Sequence, residues 1–354
     1  MTSFDTWPPI SIAGTGSYLP ERVVTNEELV ATGLETTPEW IVEHTGIRTR
    51  HWATDEQRTS DLAIEAARRA LGAAQVHPDE IDLIVVATTT PDQPMPSTAA
   101  AVHAGLGLRT DAGALDVNAA CSGFVYALHA GASMLAGGET WTNALVIGAE
   151  VCSRATDPTD RTTRIFFGDG AGAVVLRKDL EVADVIAMAA ADAGLDPGAA
   201  FNEGIDGGTH EDDTAGLRSV TYTTIDVGSE SLTMATGGFF TMDGPAAKRF
   251  AIPALVEGVR SACRDALLDV DELALVIPHQ SNRRMLEAAI DELGLPEGRL
   301  ATTIDRFGNT AAASIPITLD AAVRDGRVSS GDLLCLVGYG AGLQTASCVL
   351  RWSD

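Results

Sequence analysis

The stretch DEIDLIVV at residues 79–86 returns in modified form as DELALVIP at residues 271–278. In both copies two acidic residues precede an apolar run whose length and aliphatic content favour a buried strand. A segment with apolar residues at helical spacing lies before each copy, at Ser60–Leu71 and at Ile252–Leu268. Because the copies lie close to 190 residues apart, the repeat indicates two similar α/β halves and not a solenoid.

The similarity continues beyond these strands, with a strand and turn at residues 114–121 in the first copy and at residues 303–309 in the second. We therefore predict an N-terminal half at residues 1–180 and a C-terminal half at residues 181–354. The polar, glycine-rich region 192–226 lacks periodicity and predicts loops over a surface or a pocket. Short acidic-then-aliphatic segments also recur by chance in α/β proteins, and at this point that alternative stays open.

The composition limits the classes of partner. The chain has 354 residues with 49 acidic and 24 basic side chains, a formal charge of −25, so we expect no nucleic-acid partner. Five cysteines without a CxxC pair predict a reduced, cytoplasmic protein without a disulfide framework or a metal site. The N-terminus lacks a signal-peptide pattern, and no apolar run approaches the roughly 20 residues of a membrane span.

The segment NAACSGF at residues 118–124 places Cys121 where an apolar strand meets a helical segment. Unpaired amides at a helix N-terminus favour a thiolate, and a sharp turn of small residues exposes the sulfur. This pattern predicts a nucleophile, although an inert buried cysteine explains the segment about equally well. The other cysteines stand in apolar or helical surroundings, where we expect inert thiols.

Two further candidates come from the second half. His279 directly follows the strand-like run ending at Pro278, a position from which a histidine is expected to exchange or donate a proton near neutral pH. Asn309 occupies a strand-to-helix turn resembling that of Cys121, where an asparagine is often only a helix cap. The glycine-rich segments 167–173 and 337–342 lack nucleotide-loop patterns, which favours close backbone approach. The second segment is either a simple turn or a source of amides for an oxyanion.

These segments, in this order, resemble the Cys-His-Asn set of the β-ketoacyl-acyl-carrier-protein synthase III family, within the thiolase-like condensing enzymes. The resemblance covers essentially the whole chain and includes GTGSYLP at 14–20, EWIVEHTGIR at 39–48, DPTDR at 157–161 and GDGAG at 168–172. It implies an α/β fold, the thiolase-like duplicated five-layered αβαβα sandwich, usually as a homodimer. No bound cofactor is implied, because acyl-coenzyme A (acyl-CoA) or an acylated acyl carrier protein (acyl-ACP) serves as substrate.

By this resemblance Cys121 takes the acyl group from a thioester, and the amides of Cys121 and Ala341 hold the tetrahedral oxyanion. Malonyl-ACP then loses carbon dioxide, and hydrogen bonds from His279 and Asn309 stabilise the enolate that attacks the acyl group. The resemblance thus implies an acyltransferase of the 3-oxoacyl-ACP synthase III type, which performs a decarboxylative Claisen condensation that starts a fatty-acid or polyketide chain.

Other positions match residues of the family that bind substrate or partner. The positions implied for coenzyme A or phosphopantetheine are Trp40, Arg161 and Asn282. Arg249 and Arg284 match basic residues that receive the carrier protein, in a region dense in arginine. Met95 matches the gate residue that reaches across the dimer to the partner's acyl pocket. His44 departs from the family, because relatives commonly have an arginine there beside the coenzyme A phosphates.

Three alternatives remain at this point. A synthase III-like acyltransferase would move an acyl group from a carrier protein or coenzyme A to a natural-product acceptor without forming a C–C bond, but the intact Asn309 favours condensation. A thiolase needs a second catalytic cysteine, and Cys335 is poorly placed for that role. A non-catalytic scaffold would usually have lost the nucleophile that Cys121 supplies.

Overall fold

The protein's structure, a computed structural model, describes residues 9–180, 215–224, 232–235 and 237–353. Strands and helices alternate along these ranges, as the sequence predicts. The strands are β1 (Ile10–Tyr18), β2 (Arg22–Thr25), β3 (Thr49–Trp52), β4 (Leu83–Ala87), β5 (Gly113–Val117), β6 (Asn143–Val151), β7 (Asp169–Lys178), β8 (Gly216–Thr224), β9 (Leu232–Met234), β10 (Phe240–Met242), β11 (Leu275–Pro278), β12 (Leu333–Gly340) and β13 (Gln344–Arg351). The helices are α1 (Asn26–Ala31), α2 (Pro38–Thr45), α3 (Thr59–Ala74), α4 (Thr98–Leu106), α5 (Gly123–Gly137), α6 (Arg161–Arg164), α7 (Gly244–Asp265), α8 (Arg283–Leu293), α9 (Ile304–Phe307) and α10 (Ser314–Arg324).

Two large sheets share one topology. The first has the order β1-β7-β6-β4-β5, with β6, β4 and β5 parallel and β7 antiparallel to both of its neighbours. The second has the order β8-β13-β12-β11, with β11 and β12 parallel and β13 antiparallel to both neighbours. The place of β5 is taken in the second sheet by an isolated parallel bridge between Val276 and Leu300. The strands β4 and β11 overlap the two segments, residues 79–86 and 271–278, from which the duplication was predicted.

The sheets and helices form five layers. Helices α3 and α4 pack on the outer face of the first sheet, and α7, with α8 against it, packs on the outer face of the second. Between the sheets lie α5 and α10, each in contact with strands of both. A buried apolar cluster runs through this central layer, and separate clusters lie under each outer helical layer. The predicted thiolase-like five-layered sandwich is confirmed.

The sequence reasoning about the middle of the chain was partly wrong. Within the region 192–226, expected to be loops, residues Gly216–Thr224 form β8 and pair antiparallel with β13. Residues 192–214 and 225–226 lie outside the described residues. The predicted boundary between residues 180 and 181 borders an undescribed stretch and stays a prediction, although the first sheet's strands precede it and the second sheet's strands follow it.

Candidate active site

A strained turn carries Cys121. After β5 the chain reaches Ala120, whose φ of 46° lies in the left-handed region, a conformation that costs a non-glycine residue about 1–2 kcal/mol. Ala120 begins a 3₁₀ turn, Ala120–Ser122, and α5 follows at once. Such a strand-to-helix turn presents the residue at its apex in the manner of a nucleophile elbow.

The thiol of Cys121 is buried, with 4% of its surface exposed. Burial, with a smaller contribution from the nearby Glu150, raises its pKa to about 12, against a lowering by a backbone hydrogen bond. The expectation of a resting thiolate was therefore wrong. Partial charges at a helix N-terminus are worth typically about 0.3–1 kcal/mol, less than the cost of placing a charge in this apolar site.

The second half repeats this turn around Asn309. Ala311 has a φ of 44° and begins the 3₁₀ turn Ala311–Ala313, which leads into α10. The amide N–H of Asn309 donates to the carbonyl of Phe166 at 2.8 Å, so the turn is joined to the first half. Its side-chain Oδ1 accepts from the N–H of Ala311 at 2.8 Å. The oxygen thus accepts within the turn, and the NH₂ group is the donor of this side chain.

His279 lies immediately after β11, and its backbone N–H donates to the carbonyl of Val337 at 2.8 Å. The ring is buried and meets the ring of Tyr339 edge-on, with centroids 5.5 Å apart. Burial lowers its pKa to about 3, against a backbone hydrogen bond with Ala311 that acts in the opposite direction. The imidazole is therefore neutral near pH 7. The expectation that it exchanges a proton near neutral pH was wrong.

Strand β12 brings the glycine-rich end of the chain against Cys121. A Cβ atom added to Gly340 would lie 2.8 Å from the Cβ of Cys121 and 3.3 Å from its Sγ, so only glycine permits this approach. The close backbone approach predicted for this segment is confirmed. The next residue, Ala341, lines the same cavity as Cys121, and its role as an oxyanion donor stays a prediction.

Both halves of the molecule line a cavity of about 170 Å³ beside Cys121. From the first half the lining residues are Thr89, Asn118, Ala120, Cys121 and Phe167. From the second half they are Leu232, Thr233, Met234, Phe240, Ala311 and Ala341. Ala311 belongs to the turn of Asn309 and is hydrogen-bonded with His279. Both predicted residues of the second half therefore contact a residue that lines the cavity together with Cys121.

Comparison with known proteins agrees with this architecture. Models described as 3-oxoacyl-[acyl-carrier-protein (ACP)] synthase III match residues 115–194 and, for its C-terminal part, residues 263–352. The chain is 45% identical to a protein of Rhizorhabdus wittichii named beta-ketoacyl-[acyl-carrier-protein] synthase III, over 96% of this chain and 98% of that protein. The chain belongs to the β-ketoacyl-acyl-carrier-protein synthase III family. It is a condensing enzyme of the transferase class.

Solved structures of the same family are similar to this chain over nearly its whole length. The 3-oxoacyl-[acyl-carrier-protein] synthase III of Aquifex aeolicus VF5 has a TM-score of 0.83 and 36% identity, covering 97% of this chain and 100% of that one. The priming β-ketosynthase of the R1128 polyketide pathway has a TM-score of 0.85 and 32% identity, covering 98% of this chain and 97% of that one. A relative of the same synthase III name from Xanthomonas oryzae pv. oryzae is 43% identical over 96% of this chain and 98% of that protein.

In this synthase III the predicted coenzyme A residues lie around α2. The guanidinium of Arg161 lies 4.9 Å from the Trp40 ring, and His44 stacks on Trp40 with centroids 4.1 Å apart. The Nδ2 of Asn282 donates to the carbonyl of His44 at 2.7 Å, and its Oδ1 caps α8 by accepting from Arg284. The structure brings these residues together, but their role in binding coenzyme A stays a prediction.

The remaining predicted contacts lie on the surface. Arg249 on α7 and Arg284 on α8 are exposed, and Arg284 pairs with Glu43 at 3.7 Å. The helices α7 and α8 pack together. Met95 is 83% exposed and does not line the cavity of its own chain. Roles in carrier-protein binding and across a dimer stay predictions.

Sequence reasoning missed Glu150 at the end of β6. Its buried carboxylate accepts hydrogen bonds from backbone and hydroxyl groups of Thr88–Thr90, among them the amide of Thr89 at 3.1 Å. Burial raises its pKa to about 7, against hydrogen bonds from these threonines and from the backbone of Ala312. Glu150 thereby joins a cavity wall to the second turn. The sequence pattern that could have identified it is a glutamate near the end of an otherwise apolar strand.

The hairpin β9–β10 was also missed, because its segments are too short to show periodicity. Phe240 stacks on Phe167 with ring centroids 4.7 Å apart.

Within the described ranges, no helix combines the length and hydropathy that a bilayer span requires. Those ranges also contain no cluster of His, Cys, Asp or Glu side chains suited to a metal ion.

Proposed function

We propose that the chain is a β-ketoacyl-ACP synthase III that loads an acyl group on Cys121 and condenses it with malonyl-ACP, which starts a fatty-acid chain. The observation that carries this proposal is the shared cavity, where the thiol of Cys121 lies against the backbone of Gly340 and beside the turn of Asn309. Family membership supports the reaction class.

In the first half-reaction the sulfur of Cys121 attacks the carbonyl carbon of an acyl thioester. The S–C bond forms, the bond to the departing thiol breaks, and the proton of Cys121 ends on that thiol. Because the resting group is a protonated thiol, its proton has to be lost before or during the attack. The amides of Cys121 and Ala341 would hold the oxyanion of the tetrahedral intermediate.

In the second half-reaction malonyl-ACP loses carbon dioxide, and the electron pair of the broken C–C bond forms an enolate. A neutral His279 and the NH₂ of Asn309 donate hydrogen bonds to its oxygen. The enolate carbon then attacks the acyl group, and Cys121 leaves as a thiolate that takes a proton from solvent. A buried donor pair needs no charge of its own to stabilise an oxyanion, which fits the lowered pKa of His279.

Acyl transfer to an alcohol or amine is the less favoured function. That reaction needs a base to take the acceptor's proton, and an imidazole with a pKa of about 3 is too weak for this task. Decarboxylative condensation requires donors in the same place, and the side chains of His279 and Asn309 supply them.

Several finer features belong to this proposal. The acyl donor is a thioester of coenzyme A, held near Trp40, Arg161 and Asn282, or of a carrier protein. An acidic carrier protein would bind the exposed Arg249 and Arg284, which offer local positive charge on an enzyme of charge −25. The enzyme acts as a cytoplasmic homodimer in which Met95 borders the partner's cavity.

The test combines two measurements on one sample. The protein is incubated with acyl-CoA and acyl-ACP donors, with and without malonyl-ACP, while the mass of Cys121 and the release of carbon dioxide are followed. We expect a mass shift with donor alone and carbon dioxide release on adding malonyl-ACP. A mass shift without carbon dioxide release on adding malonyl-ACP would exclude the condensation and favour the transferase instead. Neither signal would indicate a scaffold.

A further inference from the structure

The segments that lead to the two turns are attached to their sheets in different ways. In the first half, β5 pairs with β4 along a regular parallel ladder that ends just before the turn of Cys121. In the second half, the corresponding segment is residues 300–304, and it meets β11 at the bridge between Val276 and Leu300. There the N–H of Ala301 donates to the carbonyl of Val276 at 2.9 Å.

A proline interrupts this second ladder. Hydrogen bonds in a parallel pair are evenly spaced, so the next bonds after Val276 would join residue 278 with the carbonyl of Ala301 and with the N–H of Thr303. Residue 278 is a proline, which has no N–H to donate to Ala301. The regular pairing therefore stops one residue before His279.

The side-chain amide of Gln280 takes the place of the missing pairing. Its Nε2 donates to the carbonyl of Pro278 at 2.8 Å and to the carbonyl of Ala301 at 3.3 Å. Its Oε1 accepts from the N–H of Thr303 at 3.0 Å and from the N–H of Ile304 at 3.2 Å. Because backbone carbonyls only accept and backbone N–H groups only donate, these partners determine which way the amide faces.

This amide is fully used within the protein. Gln280 is 1% exposed, and its Oε1 also accepts from the hydroxyl of Thr302 at 3.2 Å. The bond from Ile304 satisfies an N–H at the start of α9, where the N-cap residue Thr303 makes no side-chain cap bond. With its donors and its acceptor occupied by the chain, Gln280 holds backbone and does not contact substrate.

The backbone that Gln280 holds carries both proposed enolate donors. His279 precedes Gln280 directly, and residues 300–304 lead into α9, which ends at Phe307, two residues before Asn309. The amide therefore joins the strand end of His279 to the segment that leads to Asn309. All of its hydrogen-bond partners belong to the second half, so the turn of Cys121 does not depend on it directly.

We propose that Gln280 is a positioning residue for decarboxylation, which fixes the imidazole of His279 relative to the carboxamide of Asn309 and does not serve the acylation of Cys121. This inference rests on the proposed synthase function and adds a residue to the same site. A displacement of about 1 Å can cost about 10²-fold in rate. We therefore expect Gln280→Met to lower kcat for carbon dioxide release by about 10²-fold, with KM for malonyl-ACP changed by only a few-fold.

The experiment measures the two half-reactions separately on the full-length protein. Cys121 is acylated from acetyl-CoA, hexanoyl-CoA or the same groups on a carrier protein, and intact-protein mass gives the acylation rate. Malonyl-ACP is then added, and carbon dioxide release is followed in a single turnover. We expect Gln280→Met to keep the acylation rate and to lose carbon dioxide release. Equal losses in both half-reactions would show a merely structural role and overturn the inference.

Two neighbouring threonines provide a matched pair of milder variants. Thr302→Val removes a hydroxyl that donates to Gln280, whereas Thr303→Val removes a hydroxyl that bonds to Thr318 at 2.7 Å and leaves the amide's contacts in place. Urea unfolding gives the stability of each variant. We expect Thr302→Val to lower the ratio of decarboxylation to acylation by a few-fold and Thr303→Val to leave that ratio unchanged.

The threonine pair decides the question if Gln280→Met does not fold. The same ratio in Thr302→Val and Thr303→Val would overturn the inference while leaving the synthase intact. A wild-type protein that forms no acyl-enzyme, or that forms one and releases no carbon dioxide, would refute the proposed function instead.

Discussion

The two strand-to-helix turns, one in each half, follow almost the same path. Ala120 and Ala311 have φ values of 46° and 44°, and each opens a three-residue 3₁₀ turn that leads into a helix of the central layer. Asn118 and Asn309 stand two residues earlier, each accepting from the amide of its alanine, at 3.4 Å and 2.8 Å. This register places Ala312, not Asn309, opposite Cys121.

What differs is the surroundings. Asn309 is 7% exposed and hydrogen-bonded through its backbone to the first half, whereas Asn118 is exposed at the cavity rim. The position after the strained alanine is a thiol in one turn and the methyl group of Ala312 in the other. The same backbone conformation therefore carries the proposed nucleophile in the first half and the proposed hydrogen-bond donor in the second, so the chemistry of each turn depends on burial and neighbours more than on local conformation.

The largest expected effect breaks the comparison at the thiol. Cys121→Ala should lower condensation by about 10⁴-fold or more, because no covalent intermediate can form. Cys152→Ala is the control, since Cys152 lies buried in the same small cluster. Intact-protein mass after incubation with acyl donor reports the result. Acylation that survives in Cys121→Ala would place the nucleophile elsewhere.

The next effect separates the two asparagines. Asn309→Ala should reduce carbon dioxide release from malonyl-ACP by about 10²–10³-fold, the usual cost of losing one oxyanion donor, while acylation of Cys121 continues. Asn118→Ala should change that rate by only a few-fold. Single-turnover assays on the preformed acyl-enzyme make the measurement. Equal losses in both variants, or loss of the acyl-enzyme in Asn309→Ala, would contradict the assignment.

A third prediction concerns Glu150, which lies between the two turns. Its folded pKa of about 7 exceeds the ordinary 4.5, so between these pH values the folded state holds more protons than the unfolded state, and stability falls as pH rises. Between pH 5 and pH 7.5 the free energy of unfolding of the wild type should fall by about 2–3 kcal/mol through this group, and Glu150→Gln should lack that fall. Urea unfolding at pH 5 and pH 7.5 measures it.

The titration of His279 changes stability with pH in the opposite direction to that of Glu150. Glu150→Gln is therefore compared with wild type at both pH values. Its folded pKa of about 3 lies below the ordinary 6.5, so it contributes stability above pH 6.5 that is lost as pH falls towards 3. A slope with pH that is the same in wild type and Glu150→Gln would show that the carboxylate is not the titrating group.

The smallest effect tests the shared strain. Ala120→Gly and Ala311→Gly should each raise the midpoint of thermal unfolding by about 1–2 °C, since relief of the left-handed conformation exceeds the entropy that glycine adds to the unfolded chain. Ala262→Gly, inside α7, should lower it, because that alanine lies in an ordinary helix. Destabilisation by both turn variants would mean that the alanine side chains contribute more than the strain costs.

Local patterns predicted much of the fold. The segment expected to be helical at Ser60–Leu71 lies within α3, and the duplicated apolar runs contain β4 and β11, because each element shows its buried face within a few residues of sequence. Strand β8 was missed because its sequence shows no clear apolar pattern. It is held by its pairing with β13. Pairing between segments so distant in sequence leaves little local trace.

The sequence by itself determined the duplicated architecture and the family, and it singled out Cys121, His279 and Asn309 as candidate catalytic residues, since these follow from residue types at particular places along the chain. Only the tertiary structure decided that the thiol rests protonated, that the imidazole is neutral, that Glu150 joins the turns and how large the cavity is. Those properties arise from desolvation and packing, which depend on residues from both halves that meet only after folding.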